Sequence, residues 1–325
     1  MNERGLLDLI ISLLPGLKVT DKISMLDFFN REEELYVQSR RDIEEIIRHE
    51  LKQFWDINEI RDKAGRIDTI CEMRSIKWVS WTDSEYPPLL RETYDPPPVI
   101  YYRGRLPNPE KPLLGMVGTR KPSPEAADQA YKLAFDIGRA GVSVVSGLAI
   151  GIDSMSHRGN LAGGVPGYAV LGSGADEIYP STNRQLAKRI LGSGGALISE
   201  YPPGVRPNRW TFPARNRIIS AMSRSVLVVQ APKRSGALIT ARIAIDLGKD
   251  LWVASCGAKQ GTAFDNRGTI KHAQDGADII YSAGDILEMW GMEVAANDEN
   301  DAVSPGRISG RDIASSVSKI LEIEV

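Results

Sequence analysis

The chain has 325 residues, of which 42% are hydrophobic and 25% are charged, and its formal net charge is −2 at pH 7. These values are typical of a globular protein. No apolar run approaches the roughly 20 residues that span a bilayer, which argues against a membrane protein. Two cysteines, Cys71 and Cys256, argue against a disulfide framework, and the N-terminus lacks the basic region and cleavage site of a secretory signal. We therefore expect a cytoplasmic protein without membrane contact.

Residues 1–80 are predicted to form a small, all-helical N-terminal domain. Apolar residues recur there at helical spacing in LLDLIISLL (6–14) and DIEEIIRHELKQFW (42–55), without the alternation of a half-buried strand. Residues 81–112 are rich in proline, which favours an extended linker. This linker is predicted to end in an extension strand, VIYYRG (99–104).

Short apolar runs alternate with helical patterns between residues 113 and 284. The predicted strands are LLGMVG (113–118), VSVVSG (142–147), GYAVLG (167–172), ALISE (196–200), SVLVVQA (225–231), DLWVAS (250–255) and DIIYS (278–282). Helices are predicted over about 124–139, 152–161, 183–191 and 237–247. Apolar strands separated by helices form a parallel sheet that is covered on both faces. We therefore predict an α/β domain with an extended Rossmann-like fold and a mostly parallel sheet.

The C-terminal segment 285–325 is predicted to be an acidic, flexible tail. It contains AANDENDAVSPGRISGRD (295–312), which is polar and interrupted by proline and glycine. Its last residues, IASSVSKILEI (313–323), are predicted to form a short helix.

The charge is unevenly distributed along the chain. Residues 113–282 carry 20 Lys and Arg against 12 Asp and Glu, and the segment 201–245 contains eight Lys and Arg and no Asp or Glu. Such a basic segment suggests an anionic partner, although the same charges are also compatible with a solvated surface neutralised by the rest of the fold. Within this segment TFPARNRIIS (211–220) places an aromatic ring beside two arginines where a helix is predicted to begin.

Four strand-to-helix loops are predicted to meet at the carboxyl edge of the sheet, where Rossmann-like folds bind ligands. They are VGTRK (117–121), SGLAIGID (146–153), LGSGAD (171–176) and APKRSG (231–236). Glycine and free N–H groups at helix starts suit phosphate oxygens, and basic side chains add charge-assisted donors. The candidate phosphate ligands in these loops are Gly118, Thr119, Arg120, Lys121, Gly147, Gly172, Gly174, Lys233, Arg234, Ser235 and Gly236.

The motifs and the spacing of basic and aromatic residues favour a polymeric nucleic acid over a mononucleotide as the ligand. Neither the dinucleotide fingerprint nor the Walker A motif is present. Phe212 lies three residues after Arg209 and three before Arg215, which places a ring that can stack on a base among phosphate ligands, as in proteins that bind single strands. In the alternative interpretation, the ring packs in the core and the arginines pair with carboxylates such as Glu200 or Asp153. We favour core packing for Phe212 taken alone, whereas the cluster as a whole favours binding of a single strand.

Candidate catalytic groups are few, and no metal-ligand spacing is evident. His157 follows Asp153 by four residues and is predicted to share a helix face with it. We favour a structural hydrogen bond between the two over a role in proton transfer.

Long blocks of the sequence resemble the DprA/Smf family of DNA-processing proteins from about Asp83 to Ser282. They include VGTRKPSPEA, VVSGLAIGIDSMSHRGNLAGG, YAVLGSGADEIYPSTNRQL, GGALISEYPPGVRPNRWTFPARNRIISAMS and SGALITARIAIDLGKDLWVAS. The resemblance implies a homodimeric, non-enzymatic protein without cofactor that binds single-stranded DNA and loads RecA onto it during natural transformation and recombination. It also implies an N-terminal domain of the SAM or helix-hairpin-helix type. The winged-helix domain frequent in the family is predicted to be absent or vestigial.

The resemblance also implies roles for individual residues. Arg120 contacts a phosphate, Arg209 takes the basic position before the aromatic ring, and Phe212 stacks on a base. Arg215, Asn216 and Arg217 line the same cleft, and Lys233–Gly236 complete its wall. The chain departs from the family pattern at Gln230, Cys256 and Ile270, which affects one edge of this pocket.

Two other functions remain open from the sequence. One is a nucleotide-hydrolysing enzyme similar to the LOG phosphoribohydrolases, although their P-G-G-x-G-T signature is missing. The other is a sensor that binds a small nucleotide and signals through its helical N-terminal domain.

Overall fold

The N-terminal region is helical, as predicted. The computed structural model describes residues 4–53 and 55–292. Its first helices are α1 (Leu7–Leu13), α2 (Val19–Phe28), α3 (Glu32–Tyr36), α4 (Arg40–Ile47) and α5 (Ile57–Met73). Their apolar faces bury a common core around Leu9, Met25 and Phe29. Ser39 begins α4 with a capping box, in which its hydroxyl accepts the N–H of Asp42.

A nine-stranded sheet forms the centre of the remaining described chain. Its strands are β1 (Lys77–Ser80), β2 (Val99–Gly104), β3 (Leu113–Val117), β4 (Ser143–Ser146), β5 (Tyr168–Val170), β6 (Ala196–Ser199), β7 (Ser225–Val228), β8 (Asp250–Ala254) and β9 (Asp278–Ile280). They are ordered β1-β2-β6-β5-β4-β3-β7-β8-β9. The strands from β3 to β9 are mutually parallel, whereas β2 runs antiparallel to both β1 and β6. The predicted α/β fold with a mostly parallel sheet is confirmed.

The sheet extends further towards the N-terminus than predicted. The helical region ends at Met73, and β1 lies within the segment predicted to be all-helical. This prediction was wrong at its C-terminal end because β1, KWVS, has only four residues, which are too few for periodicity to distinguish a strand from the end of a helix. The predicted strand VIYYRG is confirmed as β2, where it pairs with two strands of the sheet.

Helices cover both faces of the sheet. They are α6 (Pro88–Arg91), α7 (Pro124–Arg139), α8 (Ile152–Ala162), α9 (Arg184–Gly192), α10 (Thr211–Met222), α11 (Gly236–Asp246), α12 (Ser255–Ala258), α13 (Arg267–Gln274) and α14 (Ala283–Met289). One core cluster contains Ile218 and Ile219 of α10, and another contains Leu133 of α7 and Ile286 of α14. In the part of the chain that the structure describes, no helix is both long enough and apolar enough to cross a bilayer.

Helix α14 corrects the predicted start of the tail at residue 285. Ile286, Leu287 and Trp290 are buried against the sheet, so the α/β unit continues to at least Met292. Ser282 caps this helix in a reciprocal pair of hydrogen bonds with Asp285, a signal that the sequence reading missed. The predicted terminal helix over 313–323 lies outside the described residues.

The strand order places a crevice at the carboxyl edge of β3. The chain leaves β3 towards β4, β5 and β6 on one side and then returns to β7 on the other side. Such a reversal separates the loops that follow the two neighbouring strands and opens a ligand-binding crevice between them.

Candidate nucleic-acid interface

The four predicted loops follow β3, β4, β5 and β7, which are parallel and adjacent in the sheet. Their carboxyl ends therefore lie on one edge. The segment that follows β6 runs along the same edge to the start of α10, which brings Arg209 and Phe212 to the crevice. We call this edge, from Arg120 to Phe212 and Lys233, the cleft.

Phe212 lies at the surface of the cleft and not in the core. Its side chain is half-buried, and its ring centre is 5.7 Å from that of Tyr179, with the two planes tilted by 43°. The Cζ atom of Arg120 is 5.6 Å from the centre of the Phe212 ring. Beneath the ring lies Gly172, where an added Cβ would be 3.0 Å from Cδ1 of Phe212. The absence of a side chain at Gly172 thus leaves room for the Phe212 ring, and a larger residue there would displace the ring.

Exposed cationic side chains surround this ring. Arg120 and Lys121 follow β3, while Lys233 and Arg234 follow the neighbouring strand β7, and all four are exposed. Arg209 is also exposed, and its Cζ atom lies 4.5 Å from the centre of the Trp210 ring. Arg120, Arg209, Lys233 and Arg234 thus lie at the solvent-facing surface, where guanidinium and ammonium groups can meet the phosphates of an anionic backbone.

Ser235 and Gly236 build the start of α11. The hydroxyl of Ser235 accepts the N–H of Ala237 at 3.2 Å and caps the helix. The predicted wall from Lys233 to Gly236 therefore combines two exposed cations with a capped helix start.

Arg215 differs from its predicted place on the cleft surface. Only 5% of the residue is exposed, and its guanidinium donates to the carbonyl of Val170 beneath the cleft floor. Burial lowers the pKa of Arg215 to about 10, while the nearby carboxylate of Asp153 acts in the opposite direction. Asp153 is itself buried and accepts the N–H groups of Gly147 and Ala149 at 3.1 and 3.4 Å. Arg215 is thus a structural cation of the floor.

Gly147 also has a role other than the predicted one. An added Cβ at this position would overlap the guanidinium of Arg215. The glycine therefore makes room for Arg215 and does not open the backbone towards a phosphate.

Arg217 and Asn216 are likewise turned away from the cleft surface. Nη2 of Arg217 is 2.5 Å from Glu200, and its Nε is 3.3 Å from Asp95. The amide of buried Asn216 donates to the carbonyl of Gly236 at 3.1 Å and holds the start of α11. The alternative interpretation, in which arginines of this helix pair with carboxylates, therefore describes Arg217 correctly, whereas the hydrogen bond of Arg215 goes to a backbone carbonyl.

Several backbone groups of the loops are already used within the protein. The N–H of Thr119 donates to the carbonyl of Gln230 at 2.8 Å, and the N–H of Gly174 donates to Val205 at 2.8 Å. An added Cβ at Gly118 would lie 2.5 Å from Ile152, so this glycine allows the loop to pack on α8. These loops shape the cleft, while the exposed side chains supply the groups that face solvent.

His157 lies beneath the floor and does not form the expected hydrogen bond with Asp153. It is fully buried, neither ring nitrogen has a hydrogen-bond partner in the structure, and burial lowers its pKa to about 3. The imidazole is therefore neutral at physiological pH and inaccessible from the cleft. Among the residues described, no group of three or more His, Cys, Asp and Glu side chains is placed to hold a metal ion.

Sequence reasoning did not single out two aromatic residues near this site: Tyr179, whose ring is 5.7 Å from that of Phe212, and Trp210, whose ring contacts Arg209. Both are exposed, at 49% and 70%. Trp210 directly precedes the predicted helix, a signal that the sequence offered. Tyr179 lies between β5 and α9, and no sequence pattern places its ring against Phe212.

Residues 77–291 match the profile of the family described as DNA recombination-mediator protein A. The chain belongs to this family. It is 37% identical to the DNA processing protein DprA of Bacillus subtilis over 245 residues, which are 74% of this chain and 78% of that protein. It is 40% identical to Protein Smf of a Synechocystis strain over 224 residues, which cover 68% of this chain but only 55% of that longer protein.

Two solved structures share the fold. The X-ray structure of DNA processing protein A from Streptococcus pneumoniae has a TM-score of 0.69 at 29% identity, covering 90% of this chain and 99% of that one. A structure of DNA processing protein A from Helicobacter pylori, whose subject is its single-stranded DNA binding mode, has a TM-score of 0.57 at 24% identity and covers 67% and 97% of the two chains. The resemblance to the DprA/Smf family seen in the sequence is confirmed.

Proposed function

We propose that this protein binds single-stranded DNA in the cleft. The observation that carries the proposal is the position of Phe212, whose partly exposed ring lies 5.6 Å from Cζ of Arg120 and 5.7 Å from the Tyr179 ring at the crevice beside β3. An aromatic face next to solvent-exposed cations suits a single strand, because bases stack on the ring while the cations meet the phosphates. In a duplex the bases are stacked on each other and are not available to the ring.

The surface cations support a contact that follows the backbone of a strand. Arg120, Lys121, Lys233 and Arg234 come from two neighbouring loops, and Arg209 approaches from the segment before α10. Cations distributed along an edge suit successive phosphates of a polymer, whereas a mononucleotide needs one compact anion site. The proposed DNA contacts are therefore Arg120, Lys121, Arg209, Phe212, Lys233 and Arg234, with Thr119, Ser235 and the glycines shaping their loops.

We further propose that the protein acts as a homodimer that loads RecA onto the bound strand, in transformation and recombination and without catalysing a reaction itself. Support comes from membership of a family described as recombination mediators and from relatives named DNA processing proteins. The buried position of His157 and Asp153 also supports a role in binding, because neither group can reach a molecule in the cleft.

A titration with fluorescent oligonucleotides at two salt concentrations tests the proposal. We expect tighter binding to single strands than to duplexes of the same length, and an affinity that falls with salt by a log–log slope of about −0.7 per phosphate contacted. Equal affinity for both forms, or no salt dependence, would contradict it. Release of free base or ribose phosphate from mononucleotides would instead support the alternative function, a nucleotide-hydrolysing enzyme similar to the LOG phosphoribohydrolases.

RecA loading is tested separately. The lag before RecA hydrolyses ATP on single-stranded DNA is measured with the wild-type protein and with a variant that does not bind DNA. We expect only the wild type to shorten the lag. An equal lag with and without the wild-type protein would remove RecA loading from the proposal while leaving DNA binding in place.

A further inference from the structure

Two neighbouring segments of the chain form one side of the cleft. The first, residues 171–180, follows β5 and carries Tyr179, whose ring is 5.7 Å from that of Phe212. The second, residues 200–210, leads from β6 to α10 and carries the exposed Arg209. We call them the β5 loop and the β6 segment. The position of this side of the cleft depends on how the two are held.

Hydrogen bonds join the β5 loop to the β6 segment. The N–H of Gly174 donates to the carbonyl of Val205 at 2.8 Å, and the N–H of Gly204 donates to the carboxylate of Asp176 at 3.0 Å. The two segments approach closely at Gly174, where an added Cβ would lie 2.7 Å from both the Asp176 carboxylate and the carbonyl oxygen of Pro202. A side chain at Gly174 would therefore push the segments apart.

The helical N-terminal region contacts the β5 loop at this same place. Arg74, which directly follows α5, forms an ion pair through its Nη1 with Oδ2 of Asp176. The Arg74 side chain is half-exposed, whereas that of Asp176 is only 11% exposed. The preceding residue, Ala175, is fully buried and belongs to the same apolar core cluster as Cys71 of α5. Two consecutive residues thus attach the β5 loop to the N-terminal region.

From these contacts we infer that the N-terminal region positions this side of the cleft through Arg74 and Asp176. Oδ2 of Asp176 pairs with Arg74 while Oδ1 accepts the N–H of Gly204, so one carboxylate connects three parts of the chain. Both are positioning residues, and neither is required to touch the bound strand. The inference rests on the proposed function and gives the helical N-terminal region a part in it.

The ion pair is expected to act on the cleft more than on the stability of the fold. A pair with a solvent-exposed partner contributes little to global stability, because water screens its charges. The two segments that it connects carry Tyr179 and Arg209, and small displacements there change which groups a strand can reach. Loss of the pair is therefore expected to show in DNA affinity.

One substitution separates positioning from a direct contact between Arg74 and a phosphate. Asp176→Asn removes a negative charge and releases Arg74 from its ion pair, while the remaining amide oxygen can still accept the N–H of Gly204. A phosphate contact by Arg74 predicts tighter binding in this variant. Positioning predicts weaker binding, in spite of the gain in net positive charge.

The test titrates Arg74→Ala, Asp176→Asn and Arg61→Ala with a fluorescent single-stranded oligonucleotide. Arg61 is a matched control, because it lies on α5, is similarly exposed and pairs with Glu32 at 3.3 Å within the N-terminal region. We expect about threefold weaker binding by the first two variants and wild-type affinity for Arg61→Ala. Thermal unfolding of the same preparations is expected to show that all three are folded.

Three further measurements separate positioning from a loss of charge or of stability. The double variant with Arg74→Ala and Asp176→Asn is expected to bind no more weakly than either single variant, since both remove the same contact. Arg74→Lys is expected to retain most of the affinity, because an ammonium group remains beside Asp176. The salt slope of Asp176→Asn, which keeps every cation, is expected to fall by as much as about 0.7 if Arg209 no longer reaches its phosphate.

The outcomes distinguish the inference from the function on which it rests. If Arg74→Ala and Asp176→Asn match the wild type, or if Asp176→Asn binds more tightly, the inference is wrong. Additive losses in the double variant would contradict it as well. In each of these cases the proposed function stands as long as Phe212→Ala weakens binding. If the wild-type protein shows no preference for single strands, the proposed function and the inference both fail.

Discussion

The guanidinium of Arg120 lies 5.6 Å from the centre of the Phe212 ring, although one residue follows β3 and the other belongs to the first turn of α10. This contact joins the two halves of the cleft. A strand that stacks a base on Phe212 brings its phosphates within reach of Arg120, so the two residues are expected to act on the same nucleotide region.

Replacement of Phe212 by alanine is expected to weaken single-strand binding by roughly 1–3 kcal/mol, because the base loses its stacking surface. The ring is only half-buried, so the melting temperature is expected to change little. Fluorescence anisotropy and thermal unfolding of the same preparations measure both quantities. A large loss of stability with unchanged affinity would mean that the ring serves packing.

Replacement of Arg120 by alanine is expected to lower affinity and to reduce the salt slope by about 0.7, the value for one phosphate contact on a single strand. Titrations at several salt concentrations provide the slope. Arg242→Ala is a matched control, since Arg242 is exposed on α11 and pairs with Asp246 in the same helix. An equal slope in Arg120→Ala and wild type would remove Arg120 from the contacts.

Replacement of Arg215 by alanine is expected to destabilise the fold. The variant would lose the hydrogen bond from the guanidinium to the carbonyl of Val170 and would leave the buried Asp153 without its nearby cation. A hydrogen bond made by a charged group typically contributes about 1.5–3 kcal/mol. Urea unfolding of Arg215→Ala and Arg209→Ala makes the comparison, because Arg209 is exposed and its loss is expected to affect DNA affinity alone. Equal stability of both variants would contradict the structural role of Arg215.

The neutral, buried His157 predicts a pH dependence of stability. Burial lowers its pKa from 6.5 to about 3, with the charge of Arg215 acting in the same direction. Below pH 6.5 the unfolded chain therefore binds a proton that the folded protein does not, and stability is lost as the pH falls towards 3, by at most about 1.4 kcal/mol per pH unit.

A His157→Gln variant isolates this contribution from that of other groups, since Asp153 and Glu200 have raised pKa values and act with the opposite sign. The free energy of unfolding is measured for both proteins between pH 7 and pH 4. We expect the wild type to lose stability relative to the variant as the pH falls. Parallel curves would show that His157 is protonated, or accessible, in the folded state.

Local signals in the sequence predicted most elements of the α/β unit. The predicted helix over 124–139 has the observed bounds because neighbouring residues determine where it begins. The hydroxyl of Ser123 accepts the N–H of Ala126 at 3.1 Å, and Pro124 occupies the first helical position. The apolar strands were equally clear. The short strand β1 and the short helix α12 were missed because four residues are too few for periodicity to separate a strand from a helix turn, and neither segment forms a continuous apolar run like those of the predicted strands.

By itself, the sequence determined the family, the parallel sheet and the edge at which the site lies, since strand patterns and loop residues are local properties. The tertiary structure alone decided which polar residues of TFPARNRIIS face the cleft. Helix α10 is buried along most of its length, so Arg215, Asn216 and Arg217 turn to partners inside the protein, while Phe212 at its first turn remains partly exposed. Side-chain direction depends on what packs around the helix, and those partners, Val170, Glu200 and Gly236, come from other parts of the chain.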